Sequence, residues 1–306
     1  MHRQFEKYRT FDEIENFTRT TIHKITVIHT EFDIPMGQCG MYSDDNVFYI
    51  CVTHFEQNLQ KYKFVTTIKR ISFSIMNESF SDLTPFINLE EITVNVGITN
   101  ISNLIMPNSL NTLHIHDDCS LADVTIPSNL KILILGIHFK NSLTNVKFPD
   151  ALEEIDIWTG KSLTGSILPK FLKKITIHSQ ECLTALNDMI LPTSLQTLDL
   201  QISRLQHKTS IPSNFINVRT DARFIPNLIF PSSITKLCIT TSIRTLNNLP
   251  NGLEELEIID VSDDVTNLPS SITKIIINSP HVILSKFKRI PYGCVVMNAN
   301  GNILLK

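Results

Sequence analysis

The chain has 306 residues, 42% of them hydrophobic and 19% charged, and 27 basic against 30 acidic side chains leave a formal net charge of −3. That apolar content excludes a disordered chain, and lysines and arginines dispersed among acids argue against nucleic acid as a partner. With only nine glycines, and without an H-E-x-x-H, G-x-S-x-G, G-x-G-x-x-G or phosphate-loop pattern, no enzyme activity and no cofactor is expected.

The first residues are charged where an export signal needs an apolar core, and the longest apolar runs, such as Val47–Val52, fall far short of the ~20 residues that cross a bilayer. A cytosolic or nuclear protein that makes no use of a membrane is therefore expected. Cys39, Cys51, Cys119, Cys182, Cys238 and Cys294 form no C-x-x-C pair. They fit free thiols in a reducing compartment better than a zinc site or a disulfide scaffold. Phe5, Tyr8, Phe11, Ile14 and Phe17 recur every three residues, and Thr10 with Glu13 forms a capping-box pattern. Residues 1–20 thus read as an amphipathic capping segment, a short helix or two turns.

From residue 21 one pattern repeats. Ten of the fourteen prolines follow an apolar residue and precede, by three residues, an apolar position 0 with further apolar residues at +3 and +5. Clear copies are Pro107 with Leu110, Leu113 and Ile115; Pro127 with Leu130, Leu133 and Leu135; Pro149 with Leu152, Ile155 and Ile157; and Pro269 with Ile272, Ile275 and Ile277. The copies at Pro212 and Pro291 are worn, and upstream the triplet persists without its proline. Position 0 falls at 22, 47, 68, 89, 110, 130, 152, 172, 195, 215, 234, 253, 272 and 294, fourteen units spaced 19 to 25 residues apart. Positions +3 and +5 alternate with +2, +4 and +6, the period of a strand with one buried face. One such strand cannot bury its face alone, but stacked copies form a parallel sheet with a continuous core.

Residues 21–290 are therefore expected to form a solenoid of 13 to 14 units, with extended segments and short turns on its return side. Phe55, Leu59 and Tyr62 have the spacing of a short helix there. Residues 291–306 read as a capping hairpin, since Asn300-Gly301 is a strong turn signal between Val295-Val296-Met297 and Ile303-Leu304-Leu305.

L-x-x-L-x-L at this period resembles the leucine-rich repeat, over roughly residues 20–300. Residues 133–143 are similar to an FNIP-type unit, and residues 119–127 and 142–149 to BspA-like units. The asparagine usual at +8 is replaced by Asp118, Gly160, Gln180 and Ser203. The resemblance implies a right-handed horseshoe with a parallel sheet on its concave face, few helices on its convex face, and a non-enzymatic role in binding proteins. The BspA likeness implies, as an alternative, a surface or adhesion role.

If +2, +4 and +6 face outward, the middle of the concave face carries Thr112, His114 and His116; Ile132, Ile134 and Gly136; Glu154, Asp156 and Trp158; Lys174, Thr176 and His178; and Thr197, Asp199 and Gln201. Trp158 is the sole tryptophan, set beside isoleucines on a solvent face, and such a patch marks a binding surface. In the worn tenth unit Arg219 and Asp221 also point outward, while Thr220 points to the core. The expected partner surface is therefore Trp158, His114, His116, Ile132, Ile134, Glu154, Asp156, Lys174, His178, Asp199, Arg219 and Asp221, on a monomer that binds a protein ligand. A metal-dependent enzyme using His114 and His116 is the other reading. It is disfavoured because strands lie ~4.8 Å apart, which puts Asp156 roughly 10 Å away, two units on.

Overall fold

The recurring proline closes a turn. Its carbonyl accepts the N–H of position 0 three residues on, as in Pro107–Leu110, Pro127–Leu130, Pro149–Leu152, Pro192–Leu195 and Pro231–Ile234, at 3.0 to 3.3 Å. Proline has a fixed φ and no N–H to satisfy, so it suits a turn that must leave the hydrogen-bond ladder before the next strand begins. The two N–H groups after position 0 then both donate to one carbonyl of the preceding coil: Asn111 and Thr112 to Glu90, Lys131 and Ile132 to Asn111, Glu254 and Glu255 to Thr235. This shared acceptor sets the register of each strand on the last.

The computed structural model describes residues 7–10, 13, 22–27, 38–44, 47–52, 63–73, 81–95, 97–98, 100–279 and 284–305. They group into two compact units, residues 1–171 and 172–306, each a parallel-sheet solenoid. The first unit contains β1 (Lys7–Thr10), β2 (Ile22–Val27), β3 (Gln38–Asp44), β4 (Val47–Val52), β5 (Arg70–Phe73), β6 (Glu91–Val94), β7 (Thr112–Ile115), β8 (Ile132–Leu135) and β9 (Glu154–Ile157). From β5 to β9 neighbours in sequence pair in parallel without a register shift. The +3 residues Ile71, Ile92, Leu113, Leu133 and Ile155 form one row and the +5 residues Phe73, Val94, Ile115, Leu135 and Ile157 the next, none more than 1% exposed. Burial of these rows is the main favourable term in folding, and no coil could achieve it alone.

The N-terminal strands depart from chain order. β2 pairs in parallel with both β4 and β5, β4 pairs antiparallel with β3, and β3 antiparallel with β1. The spatial order is β1-β3-β4-β2-β5, so the apolar triplet at 47 is one arm of a hairpin rather than a coil stacked between the units at 22 and 68. The 25-residue gap between positions 22 and 47 has room for the extra strand. Lys7–Thr10 is a strand where the every-third-residue stripe suggested helix, because pairing with β3 satisfies its backbone. Phe5, Phe11, Ile14 and Phe17 lie outside the described residues, as do Phe55, Leu59 and Tyr62.

The second unit contains β10 (Lys174–Ile177), α1 (Gln180–Asn187), β11 (Thr197–Leu200), β12 (Thr209–Ser210), β13 (Asn217–Thr220), β14 (Leu228–Ile229), β15 (Lys236–Ile239), β16 (Glu255–Ile258), β17 (Lys274–Ile277), β18 (Val295–Asn298) and β19 (Ile303–Leu305). β10, β11, β13, β15, β16, β17 and β18 pair in that order, in parallel, while β12 and β14 form a short separate pair. β19 runs antiparallel to β18. The turn joining them is held by Asn298, whose Oδ1 accepts the N–H groups of Asn300 and Asn302 at 3.0 and 2.9 Å, with Gly301 at φ +79°.

The return segments are mostly turns and short 3-10 stretches. The eight-residue α1 falls in the 23-residue step from position 172 to 195, and Ser179 Oγ caps it by accepting the Cys182 N–H at 3.3 Å. None of the described helices is long and apolar enough to cross a membrane. A side-chain device also recurs. The serine at −1 donates to the position-0 carbonyl of the preceding coil: Ser109 to Leu89, Ser194 to Leu172, Ser233 to Phe215 and Ser271 to Leu253, at 2.7 to 2.9 Å. Each such bond contributes about 1 kcal/mol.

Candidate interaction face

In the first unit the parallel register sets the outward residues of β7, β8 and β9 side by side. Thr112, Ile132 and Glu154 make one row, and His114, Ile134 and Asp156 the next. The ladder continues one residue past the strand ends, where the N–H groups of His116, Gly136 and Trp158 donate to Val94, Ile115 and Leu135. Trp158 is 38% exposed, and Ile132, Ile134, Glu154, Asp156, His114 and His116 are all half-buried. A partly exposed aromatic ring and two half-buried isoleucines are thus present on the same outer face. Gly136 shapes it: a Cβ there would stand 2.9 Å from His116 Nδ1 and 3.0 Å from His116 Cα. Only glycine lets the end of β8 approach the histidine so closely.

The polar part of this face is graded. Arg70 Nε lies 3.2 Å from Glu91 Oε2, and His114 Nε2 lies 3.8 Å from Glu91 Oε1, with the His114 and His116 ring centres 6.3 Å apart. Ile134 separates His114 from Asp156 in the row, so the acid is two strands from the histidine. Among the described residues no group of three His, Cys, Asp or Glu side chains is placed to hold a metal ion.

Burial pushes the His114 pKa below its usual 6.5, with His116 and Arg70 adding to the effect and Glu91 and Asp156 opposing it. The unfolded chain therefore takes up this proton at a higher pH than the folded chain does. Below about pH 6.5 the unfolded state binds more protons at this site, so stability falls with pH until the folded pKa is passed. Melting temperatures between pH 7.5 and 5 are expected to drop less steeply for His114→Gln than for the wild type. Equal slopes would mean that this imidazole is not held neutral by the fold.

In the second unit Lys174 and His178 are half-buried and Arg219 is exposed. Two of the outward acids are more engaged by the fold than their direction alone suggests. Asp199 occupies an outward position but is only 7% exposed, and Thr176 beside it 6%. The outward alternation sets direction, not exposure, and Gln201 Nε2 donates to Asp199 Oδ2 at 3.3 Å. Asp221 is not an open ligand either. It caps the 3-10 turn Ala222–Asn227, accepting the Arg223 N–H at 2.8 Å and the Arg223 guanidinium at 3.0 and 3.1 Å. Burial alone would raise its pKa, but these bonds and one from Thr241 hold it below the usual range.

A further set occupies the same outward positions, +2 and +4, of later units, where the strand alternation alone marks it in the sequence. Arg219, Cys238 and Glu257 are successive members of one row, with Lys236 and Glu255 alongside, lining a shallow depression of about 200 Å³. Lys274 and Lys236 reach Glu255 at 3.2 and 3.9 Å. Burial, reinforced by Glu257, pushes the Cys238 thiol up to about 11, so it stays protonated and unreactive near neutral pH.

No family model and no curated protein sequence matches the chain. Among solved structures it is similar to CroV588, described as a novel circular leucine-rich-repeat protein, at 19% identity and a TM-score of 0.46, over 76% of this chain. The chain spans only 37% of the length of that protein. It is also similar to YopM from Yersinia enterocolitica, at 13% identity and a TM-score of 0.26, over 76% of this chain and 82% of that one. At this level neither likeness informs the site. The parallel-sheet solenoid is established by the chain's own period, register and buried rows.

Proposed function

We propose that the chain is a non-enzymatic interaction scaffold that binds a partner protein through the outer face of the first unit's sheet, centred on Trp158. The observation that carries this is the single tryptophan of the chain, 38% exposed on a sheet face that also carries the half-buried Ile132 and Ile134 and whose opposite side is fully buried. A large ring left in solvent next to apolar side chains gains most when a partner covers it. The same reading takes the protein as a monomer of the cytosol or nucleus. Its repeats, ten of which carry an apolar-Pro pair ahead of position 0, fall in this reading with the FNIP-type or BspA-like forms. The test is affinity capture from cell extract with the wild type and Trp158→Ala. At least one captured protein is expected to be lost with the variant, and identical sets from both would refute the assigned face.

A further inference from the structure

We propose that Asn251, in the second unit, is a site of spontaneous covalent modification: its side chain closes on the Gly252 nitrogen, loses ammonia and yields an aspartyl or isoaspartyl residue. The sequence holds two Asn-Gly pairs, Asn251-Gly252 and Asn300-Gly301. Glycine after asparagine puts no side chain in the way of this ring closure, the reaction that makes asparagine heat-labile. What separates the two pairs is the state of the glycine nitrogen, which has to attack.

In the Asn300-Gly301 hairpin turn that nitrogen is engaged. The Gly301 N–H donates to the Asn298 carbonyl at 3.0 Å, with Gly301 at φ +79°, and the Asn300 N–H donates to Asn298 Oδ1. Ring closure there has to break the turn first. Asn251 and Gly252 are instead the two central residues of a proline-closed turn, in which the Leu253 N–H donates to the Pro250 carbonyl at 3.2 Å. The amide between the central residues takes no part in such a bond. Among the described residues nothing accepts the Gly252 N–H, and the exposed Asn251 side-chain amide has no hydrogen-bond partner. Asn251 lines an open depression of about 270 Å³ together with Lys208, so water and base reach it.

Packing keeps the glycine in place. Gly252 is not at positive φ, so its conformation does not require glycine, but a Cβ there would stand 2.8 Å from the Ser232 carbonyl oxygen of the coil before. The turn at Pro107 closes in the same way, with the exposed Asn108 in the place of Asn251 and Ser109 in the place of Gly252. It is the internal comparison for the residue that follows the asparagine.

The step balances with water alone. The Gly252 nitrogen gives its proton to base and bonds to Asn251 Cγ, the Cγ–Nδ2 bond breaks, ammonia departs and a five-membered imide remains. One water then opens the imide at either carbonyl. Opening at Cγ restores the original backbone and leaves aspartate, which the same turn position already carries as Asp150 in another coil. Opening at the α-carbonyl leaves the backbone running through Cγ, one atom longer, and turns the α-carbonyl into a carboxylate. That carbonyl accepts the Ser271 hydroxyl at 2.9 Å, and the next residue has no room beside Ser232. The isoaspartyl product is therefore the one that loosens the coil.

The test ages the full chain at pH 8.5 and 37 °C, both native and in guanidinium chloride, and maps timed digests by mass spectrometry with isoaspartyl and aspartyl peptides resolved. In the native protein Asn251 is expected to convert at least tenfold faster than Asn300 and Asn108. In denaturant Asn251 and Asn300 should convert at similar rates, because only the fold distinguishes them. The isoaspartyl fraction should unfold at a lower urea midpoint than fresh protein, while Asn251→Asp unfolds with the wild type. A native Asn251 that stays intact, or a lead over Asn300 no larger than in denaturant, overturns the site. An isoaspartyl fraction as stable as fresh protein overturns the loosening of the coil.

Discussion

Leu133→Ala is expected to lower the stability of the first unit by about 2 to 5 kcal/mol, the range for truncating a fully buried leucine. Leu133 is 0% exposed and stands between Leu113 and Ile155, themselves buried to within 1%. Those neighbours are held by the parallel ladder on either side and cannot slide inward to fill the space, which places the cost toward the upper part of that range. In a solenoid each coil is stabilised mainly by the two it touches, so the cavity weakens β7 and β9 as well as β8. The measurement is urea unfolding followed by circular dichroism and by Trp158 fluorescence, with the slope checked for a change in cooperativity. The contrast one residue away is the informative control. Ile132 is half-buried on the outer face, and Ile132→Ala is expected to cost less than about 1 kcal/mol by the apolar-area rule. Similar losses at both positions would contradict the division of this strand into a core side and a solvent side.

Gly136→Ala is expected to destabilise by about 1 to 3 kcal/mol, the cost of forcing an extra methyl into a filled site. The opposing effect is real: replacing glycine removes freedom from the unfolded chain and gains about 0.4 to 1 kcal/mol wherever the native backbone accepts alanine. Gly136 is not among the residues at positive φ, so its backbone raises no objection and the contact decides. The new carbon would meet His116 Nδ1 at 2.9 Å and His116 Cα at 3.0 Å. The ring can turn away, but the Cα belongs to the coil before and moves only if the ladder opens. A His116→Ala background therefore isolates the two parts. The penalty of Gly136→Ala should shrink there without vanishing, and a penalty unchanged by His116→Ala would place the strain elsewhere. A neutral or stabilising effect in the wild type would mean that the two coils are not held this close.

The core was legible in the sequence and the surface only partly so. Leu113, Leu133 and Ile155 could be assigned inward from residue type and spacing alone, because a period of two on one side of a short strand has no other economical use in stacked copies. The recurring Ser at −1 was equally visible as a letter, at 109, 194, 233 and 271, yet nothing local says that its hydroxyl reaches the coil before. Asp199 and Trp158 occupy outward positions of successive kinds, and the alternation assigned both to solvent. One is 7% exposed and the other 38%, because exposure depends on the length of the side chain and on what the flanking strands carry. Asp221 read as an outward acid and is the cap of a turn, a role set by the conformation of the residues after it.

The period, the alternation of inward and outward residues and the proline-closed turn were determined by the sequence itself. Each depends on side chains within about a dozen residues, where periodicity and backbone chemistry are decisive. The order of the N-terminal strands was decided only in the tertiary structure. The triplets at 22, 47 and 68 look alike, but β2 lies between β4 and β5 since β3 returns as a hairpin on the outer side of β4. A triplet records that a strand has one buried face, and it carries no record of which strand lies beside it or in which direction that neighbour runs. Those choices belong to backbone hydrogen bonds between strands, which the side chains of one triplet do not specify.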